Sequence, residues 1–449
     1  METITPTDGM VIRHDVRFAP GVYHLPRGVT VAADGVTLDG GGALLVGAGR
    51  LGAGVSLEGV RGVAVRNLCL AEYRHGIRAA RSSGLSLAGN RVSATAEQAP
   101  NTLFLDIWLP AEGAYGGGIL LDGVTESVVE ENDLQHQQSG LLAYGCSGLT
   151  VRRNQANYNS GFGFYLSATS DSLFEENSAD YCCRFEPREG GVHFGHMGAD
   201  AAGFVVVRAS CCNTFRRNTA RLGGDGFFLA GLAPDGTKCG CDDNLFVEND
   251  ASLSPNIAFE ATFCRGNLFV RNYADRCNYG FWLGFSWDTG IDECRMVMNR
   301  QAGIAVENGH GFRVQRNTFQ ANGHGVLLWS VRVEAFAQSF PDHATSYGWQ
   351  IEGNTFTRNG KGVRIAANQN HGIRPGPAEN EERPDLRPHS HALKGNDIQD
   401  NRIGIELARA DGTVIEGNIL NRNVEANVRQ DDAEGTVLRN NLGAAGGYL

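Results

Sequence analysis

A period of 22 or 23 residues runs through the chain and restricts its fold more than any other feature. The segments NQANYNSGFGFYL from 154, NTARLGGDGFFL from 218, NYADRCNYGFWL from 272 and NTFTRNGKGVRI from 354 share one plan. Asn is followed, eight or nine residues later, by a small residue that opens an apolar alternation. Taking that small residue as position zero gives Gly118, Gly140, Gly163, Gly203, Gly226, Ala258, Gly280, Gly303, Gly325, Gly362, Gly404 and Ala426. A second short β-type run, such as SVVEEN, LTVRRN or LFVEN, precedes each Asn. No helical heptad fits between them. A unit of two or three short strands cannot bury its apolar side chains alone, so the units must stack. Gly and Asn suit the corners because both tolerate left-handed backbone, and Asn side chains can hydrogen-bond from corner to corner. One corner departs from the plan: near 290–303, Arg295 stands where Asn is expected.

Composition agrees with a stack. A chain of 449 residues alone suggests two or three domains, but 60 glycines and 33 asparagines, none of the latter before residue 67, are punctuation for one repeating body. The expectation is a single domain over 1–449. Residues 1–53 form its cap and first coils, 54–440 about fourteen rungs, and 441–449 a tail. Apolar residues make up 42% of the chain and recur throughout, which argues against disorder, and no G-X-Y register supports collagen. No apolar run reaches the ~18 residues of a membrane span, so no membrane partner is expected. A net charge of −11 disfavours nucleic acid. The first residues lack a secretory signal, which implies a cytoplasmic protein, or an extracytoplasmic one if a leader has been removed. The eleven cysteines then read as reduced thiols. Cys239-Gly-Cys241 is not the CxxC of a structural zinc site, so no metal or other cofactor is expected. Oligomeric state is left open.

These rungs, with the opening FAPGVYHLPRGVTVAADGVTLDGGG at 18–42, resemble the right-handed parallel β-helix superfamily, which includes pectate lyases, polygalacturonases and alginate epimerases. The LxxLxLxxN pattern of a leucine-rich horseshoe is missing. The resemblance implies an all-β fold, a single-stranded right-handed parallel β-helix with loop insertions lining one face. No subfamily signature is complete. Asp242-Asp243 and two Gly-His-Gly triplets occur without the Asn-Thr-Asp of polygalacturonases. Pro341-Asp342-His343 has the residues of the epimerase Asp-Pro-His motif in another order.

Insertions at 95–117, 184–202, 232–242, 330–349 and 367–393 flank the strand that starts at position zero, and are expected to wall a groove along it. Positions +1 and +3 are apolar and should point inward, which sends +2 and +4 to the groove. That face would carry Tyr165, Phe228, Glu260, Trp282, Glu307, Trp329 and Arg364. Aromatics beside carboxylates suit sugar rings; the alternative is that the insertions cover them as a second small core. Glu260 is the expected general acid, its pKa raised by apolar neighbours, with Asp225 one rung earlier at −1 or Glu307 as partner. The insertion RFEPREGGVHFGHMGAD adds Arg184, His196 and Asp200, of which His196 or Asp200 could supply acid–base function. Tyr279 and His324 share the −1 column, and Trp287 with Asp288 marks the irregular rung. The reading is a carbohydrate-active enzyme, first a glycoside hydrolase or transglycosidase with a Glu/Asp pair. Alternatives are a lyase or C5-epimerase acting on a uronate, and a non-catalytic β-helix module for carbohydrate binding or assembly.

Overall fold

The structure, a computed structural model, describes residues 1–99, 103–187, 193–196, 198–367 and 386–443. Strands of mostly three to six residues pair in parallel with the equivalent strand of the next repeat. The chain divides into two compact units, Met1–Phe228 and Leu229–Leu449.

In the first unit, Ala53–Glu58, His75–Ala80, Gly117–Asp122, Leu141–Tyr144, Phe164–Ser167 and Phe204–Val207 form one parallel stack. Ala64–Arg66, Ser86–Ala88, Val128–Glu130, Thr150–Arg152, Leu173–Glu175 and Thr214–Arg216 form a second. A shorter third stack holds Val22–His24, Leu44–Val46, Cys69–Ala71 and Arg91–Ser93. The second unit repeats the plan, with Ile257–Thr262, Tyr279–Trp282, Ala302–Glu307, His324–Ser330, Lys361–Ala367, Ile403–Ala408 and Ala426–Asp431 in its first stack. The antiparallel pairing of Arg184–Pro187 with His193–His196 lies inside an insertion.

Side chains at +1 and +3, such as Phe281, Leu283, Ile304 and Val306, are fully buried. Like side chains stack on like: Phe164 lies 4.8 Å from Phe204, and Phe204 lies 4.6 Å from Phe227. The small residue at position zero answers a close approach of backbones. A Cβ on Gly140 would stand 2.5 Å from the Gly163 carbonyl oxygen, and one on Gly163 2.5 Å from that of Gly203.

Glycine takes left-handed corners as expected, but most of the asparagines do not. The left-handed position before a buried Asn is held at many corners by charged residues, among them Glu131, Arg153, Glu176 and Arg217 (φ 53° to 56°), and at others by glycine, as at Gly89, Gly266, Gly353, Gly395 and Gly417. Asn serves as a buried ladder instead. Asn132 Nδ2 donates to Asn154 Oδ1 (2.9 Å), Asn154 to Asn177 (3.0 Å) and Asn177 to Asn218 (3.0 Å). Each also caps a backbone carbonyl beneath it, as Asn154 does with Val129 (2.9 Å). The irregular rung is displaced by one residue from the expected place. Cys294, not Arg295, occupies the ladder, and its sulfur accepts the Asn272 N–H at 3.4 Å. Arg295 begins a strand and pairs with Asp275 at 2.9 Å.

Candidate functional site

The aromatic face expected to line a groove is buried in the second unit. Tyr279, Trp282 and Trp329 pack with Ile257, Ala302, Ala305, Leu327 and Val331 into an apolar cluster, with Val333 against it. The Trp282 and Trp329 rings meet edge to face at 5.4 Å, and Trp329 is 1% exposed. The cause is the insertion after Ser330, whose first residues fold down over the strand face, so the second small core is what forms here. Glu307, in register with Trp329, is buried. Glu260, in register with Trp282, is half-buried. Trp287 is half-buried against His343 (4.7 Å), while exposed Asp288 pairs with Arg265 at 3.5 Å.

Farther along the same unit, His324 and Arg364 join a charged cluster. Glu406 accepts from Lys361 and from Arg364 (2.9 Å), with Arg429 at 3.7 Å. Burial pushes the His324 imidazole down to about 4, and Lys361 and Arg364 add to this. Burial also lowers the Lys361 ammonium.

In the first unit, Tyr165 is buried and donates its hydroxyl to the Ile107 carbonyl at 2.9 Å. Arg184 (2% exposed) and Asp200 (0%) are equally enclosed, 3.9 Å apart. Asp225 is 1% exposed, which corrects its expected place on an open groove, and Phe228 is half-buried. Asp225 and Glu260 lie in different units. His196 ends its hairpin strand, but its side chain is outside the described residues.

An open site lies elsewhere, on residues outside the expected groove. Strands Ala53–Glu58, His75–Ala80 and Gly117–Asp122 lie side by side in the first unit. They wall a cavity of about 620 Å³ lined by Ser56, Arg74, His75, Arg78, Arg81 and Asp122, with Ala111 and Glu112 from the 95–117 insertion. Register explains the convergence: Arg78 pairs with Ser56 on one side and Leu120 on the other, while Ala80 sits between Glu58 and Asp122. Glu58 holds Arg81 and lies 3.7 Å from Arg78. Arg74 Nη2 donates to the Ala114 carbonyl at 2.5 Å, and His75 Nε2 to that of Tyr115 at 2.9 Å. That bond places the proton on Nε2 of the neutral ring. Burial pushes the His75 pKa down to about 4, with Arg74 and Arg78 contributing, so the ring is neutral near pH 7. Gly76 is the signal that was available in the sequence. Taken as a further position zero, it puts His75 at −1 and Arg78 at +2 of the same frame.

A family model described as "Right handed beta helix region" matches residues 111–254, over coils whose strands pair in parallel as above. Over that stretch the chain is similar to the right-handed β-helix family, and its strands stack as a parallel β-helix. A second model, "Periplasmic copper-binding protein (NosD)", matches residues 195–374 of the β-helix. Among the described residues no three His, Cys, Asp or Glu side chains converge as a metal site would require. Cys264 and its neighbour Cys241 are buried, and burial raises the Cys264 thiol further from the thiolate a metal would need. Among the described residues, no helix is long and apolar enough to cross a membrane.

No curated protein matches the β-helix chain. Among solved structures, it is similar to the Azotobacter vinelandii mannuronan C-5 epimerase AlgE6 A-module (16% identity, 95% of this chain and 90% of that one, TM-score 0.47). It is also similar to a GH87 alpha-1,3-glucanase from Streptomyces thermodiastaticus (12% identity, 94% and 63%, TM-score 0.39). A third is DFA-IIIase from Arthrobacter chlorophenolicus (11% identity, 79% and 81%, TM-score 0.37).

Proposed function

We propose that this β-helix is a carbohydrate-active enzyme that takes an acidic saccharide in the Arg74–Arg78–Arg81 cavity of its first unit. The observation that carries the reading is the gathering of three arginines on one 620 Å³ cavity in a chain of net charge −11. The volume lies within the range of small-ligand sites. Arginine forks match carboxylates in pairs of parallel hydrogen bonds, so a uronate is the sugar this wall selects.

The chemistry that follows from such a grip is proton transfer beside the bound carboxylate. Guanidinium groups that neutralise a uronate carboxylate make the ring C5–H more acidic. A base then takes that proton. Breaking of the C4–O bond, with the departing sugar taking up a proton and leaving as an alcohol, gives an unsaturated sugar, whereas delivery of a solvent-derived proton to the opposite face by a second group gives the C5 epimer. The neutral His75 ring, Asp122 and Glu112 are the acceptors at the cavity wall. A lyase or C5-epimerase is therefore favoured over a Glu260/Asp225 glycosidase, whose Asp225 is buried. Hydrolysis by an acid pair has one specific support, since Glu112 and Asp122 line the same cavity.

Incubation with oligogalacturonate, oligomannuronate and neutral cello-oligosaccharides in heavy water distinguishes the outcomes. Near-ultraviolet absorbance marks elimination, deuterium at C5 marks epimerisation, and new reducing ends without either mark hydrolysis. The expected result is turnover of a uronate and a loss of at least tenfold in affinity for Arg78→Ala. Equal binding of neutral and acidic sugars, or an unchanged Arg78→Ala variant, rejects the proposal.

A further inference from the structure

We infer that the buried Arg184–Asp200 pair acts as a positioning device for the saccharide cavity, clamping the strap of residues 103–116 that forms part of its wall. The inference rests on the proposed cavity, and its mechanical half stands on separate contacts. The strap is a compact loop closed at its neck, where the Asp106 N–H donates to the Tyr115 hydroxyl at 2.9 Å. Its first half is fastened to the pair. Asp200 Oδ2 accepts the Leu105 N–H at 3.1 Å, while Arg184 donates to the carbonyls of Leu103 (3.2 Å) and Ala99 (3.0 Å). A third Arg184 bond, to the Ser160 carbonyl at 3.4 Å, ties the strap to a coil corner. Tyr165 and Arg208 add hydroxyl and guanidinium bonds to the Ile107 and Trp108 carbonyls.

The second half of the strap meets the cavity. Ala111 and Glu112 line it, and the Ala114 and Tyr115 carbonyls orient Arg74 and His75. Arg184 and Asp200 are not among the cavity's lining residues, so they act through the strap. A hydrophobic plug would hold a loop down at lower desolvation cost than an ion pair so nearly excluded from water. What the pair adds is direction: a planar guanidinium fixes three carbonyls at defined angles, and a carboxylate fixes one N–H. A loop held in that way presents Ala114 and Tyr115 to Arg74 and His75 in one arrangement, before any ligand arrives.

The experiment pairs hydrogen–deuterium exchange over 103–116 with calorimetric affinity for oligogalacturonate and oligomannuronate, on the full chain. Asp200→Asn keeps shape and removes the charge. Tyr115→Phe opens the neck without leaving a buried charge, and serves if Asp200→Asn does not fold. Both variants should speed exchange in the strap and weaken uronate binding, Asp200→Asn by at least fivefold and Tyr115→Phe by less. Arg78→Ala should weaken binding with the strap's exchange unchanged. Faster exchange with wild-type affinity overturns the positioning role, and unchanged exchange overturns the clamp. If the wild type binds neither uronate, the saccharide reading fails and takes the positioning role with it. Exchange in Asp200→Asn then still decides whether the pair clamps the strap.

Discussion

At the scale of single residues, charged side chains share with glycine the left-handed corners that composition suggests for glycine and asparagine. Asn was expected at corners partly for its tolerance of left-handed backbone, yet at Arg153, Glu176 and Arg217 long charged side chains take that conformation and point to solvent. A strain of about 1 kcal/mol at each such corner is tolerable when the adjoining Asn satisfies several buried backbone groups. Asn154 receives the N–H and the side-chain amide of Asn132, and donates to Val129 and Asn177. Asn154→Ala should therefore cost about 3 kcal/mol or more, because buried partners are left without bonds. Urea titration checks this, and a loss below about 1 kcal/mol would contradict a structural role for the ladder. The sequence carried the ladder plainly, since its spacing is the repeat itself. It did not carry the left-handed assignment, which depends on which of two adjacent residues turns inward.

At the scale of elements, parallel stacking explains which surface charges matter. Glu130, Arg152, Glu175 and Arg216 alternate along one stack, and Glu131, Arg153, Glu176 and Arg217 along the corner beside it. Glu175 meets Arg216 and Arg217 with its side chain 13% exposed, whereas Glu131 meets Arg153 with its own 61% exposed. Glu175→Ala should lower stability by about 1 kcal/mol and Glu131→Ala by nothing measurable, the first effect shrinking in high salt. Equal effects in chemical denaturation would refute the distinction. The candidate site was legible only in part at this scale. The inward alternation of the strands could be read directly. Whether +2 and +4 face water could not, because that depends on how the insertions fold. Residues 331–333 cover Trp282 and Trp329, while the 95–117 insertion leaves the arginine cavity open beside it.

At the scale of the whole chain, imidazoles that are buried (His75, His391) or half-buried (His310, His324) shape the response to acid. His75, His310 and His324 are pushed down to about 4 and His391 to about 3, in each case chiefly by burial. The native state holds these rings neutral, and the unfolded chain protonates them near 6.5. Their contribution to stability is thus complete above about pH 6.5 and is lost as pH falls toward 4. For His75 the full effect is about 3 kcal/mol. Denaturation midpoints should be level from pH 7 to 8 and fall steeply between pH 6 and 4, with a shallower fall in His75→Gln; a level midpoint down to pH 5 would sink the account. The repeat made the fold legible across both units, while the burial of particular histidines depends on neighbours distant in sequence. One property of the asparagine ladder reaches beyond stability. From Asn90 through Asn132, Asn154 and Asn177 to Asn218, each carboxamide donates to the next in the later coil. The amide dipoles of the first unit therefore align head to tail and polarise one another, giving the column an electrical sense as well as a length. The run from Asn317 to Asn441 in the second unit has the same sense. Cys294 stands before that run, and only its backbone N–H reaches Asn317 Oδ1 (2.8 Å). The thiol thus breaks the run of carboxamides: Asn272 Nδ2 reaches Cys294 Sγ at 3.8 Å, and the thiol donates back to the Phe269 carbonyl rather than onward.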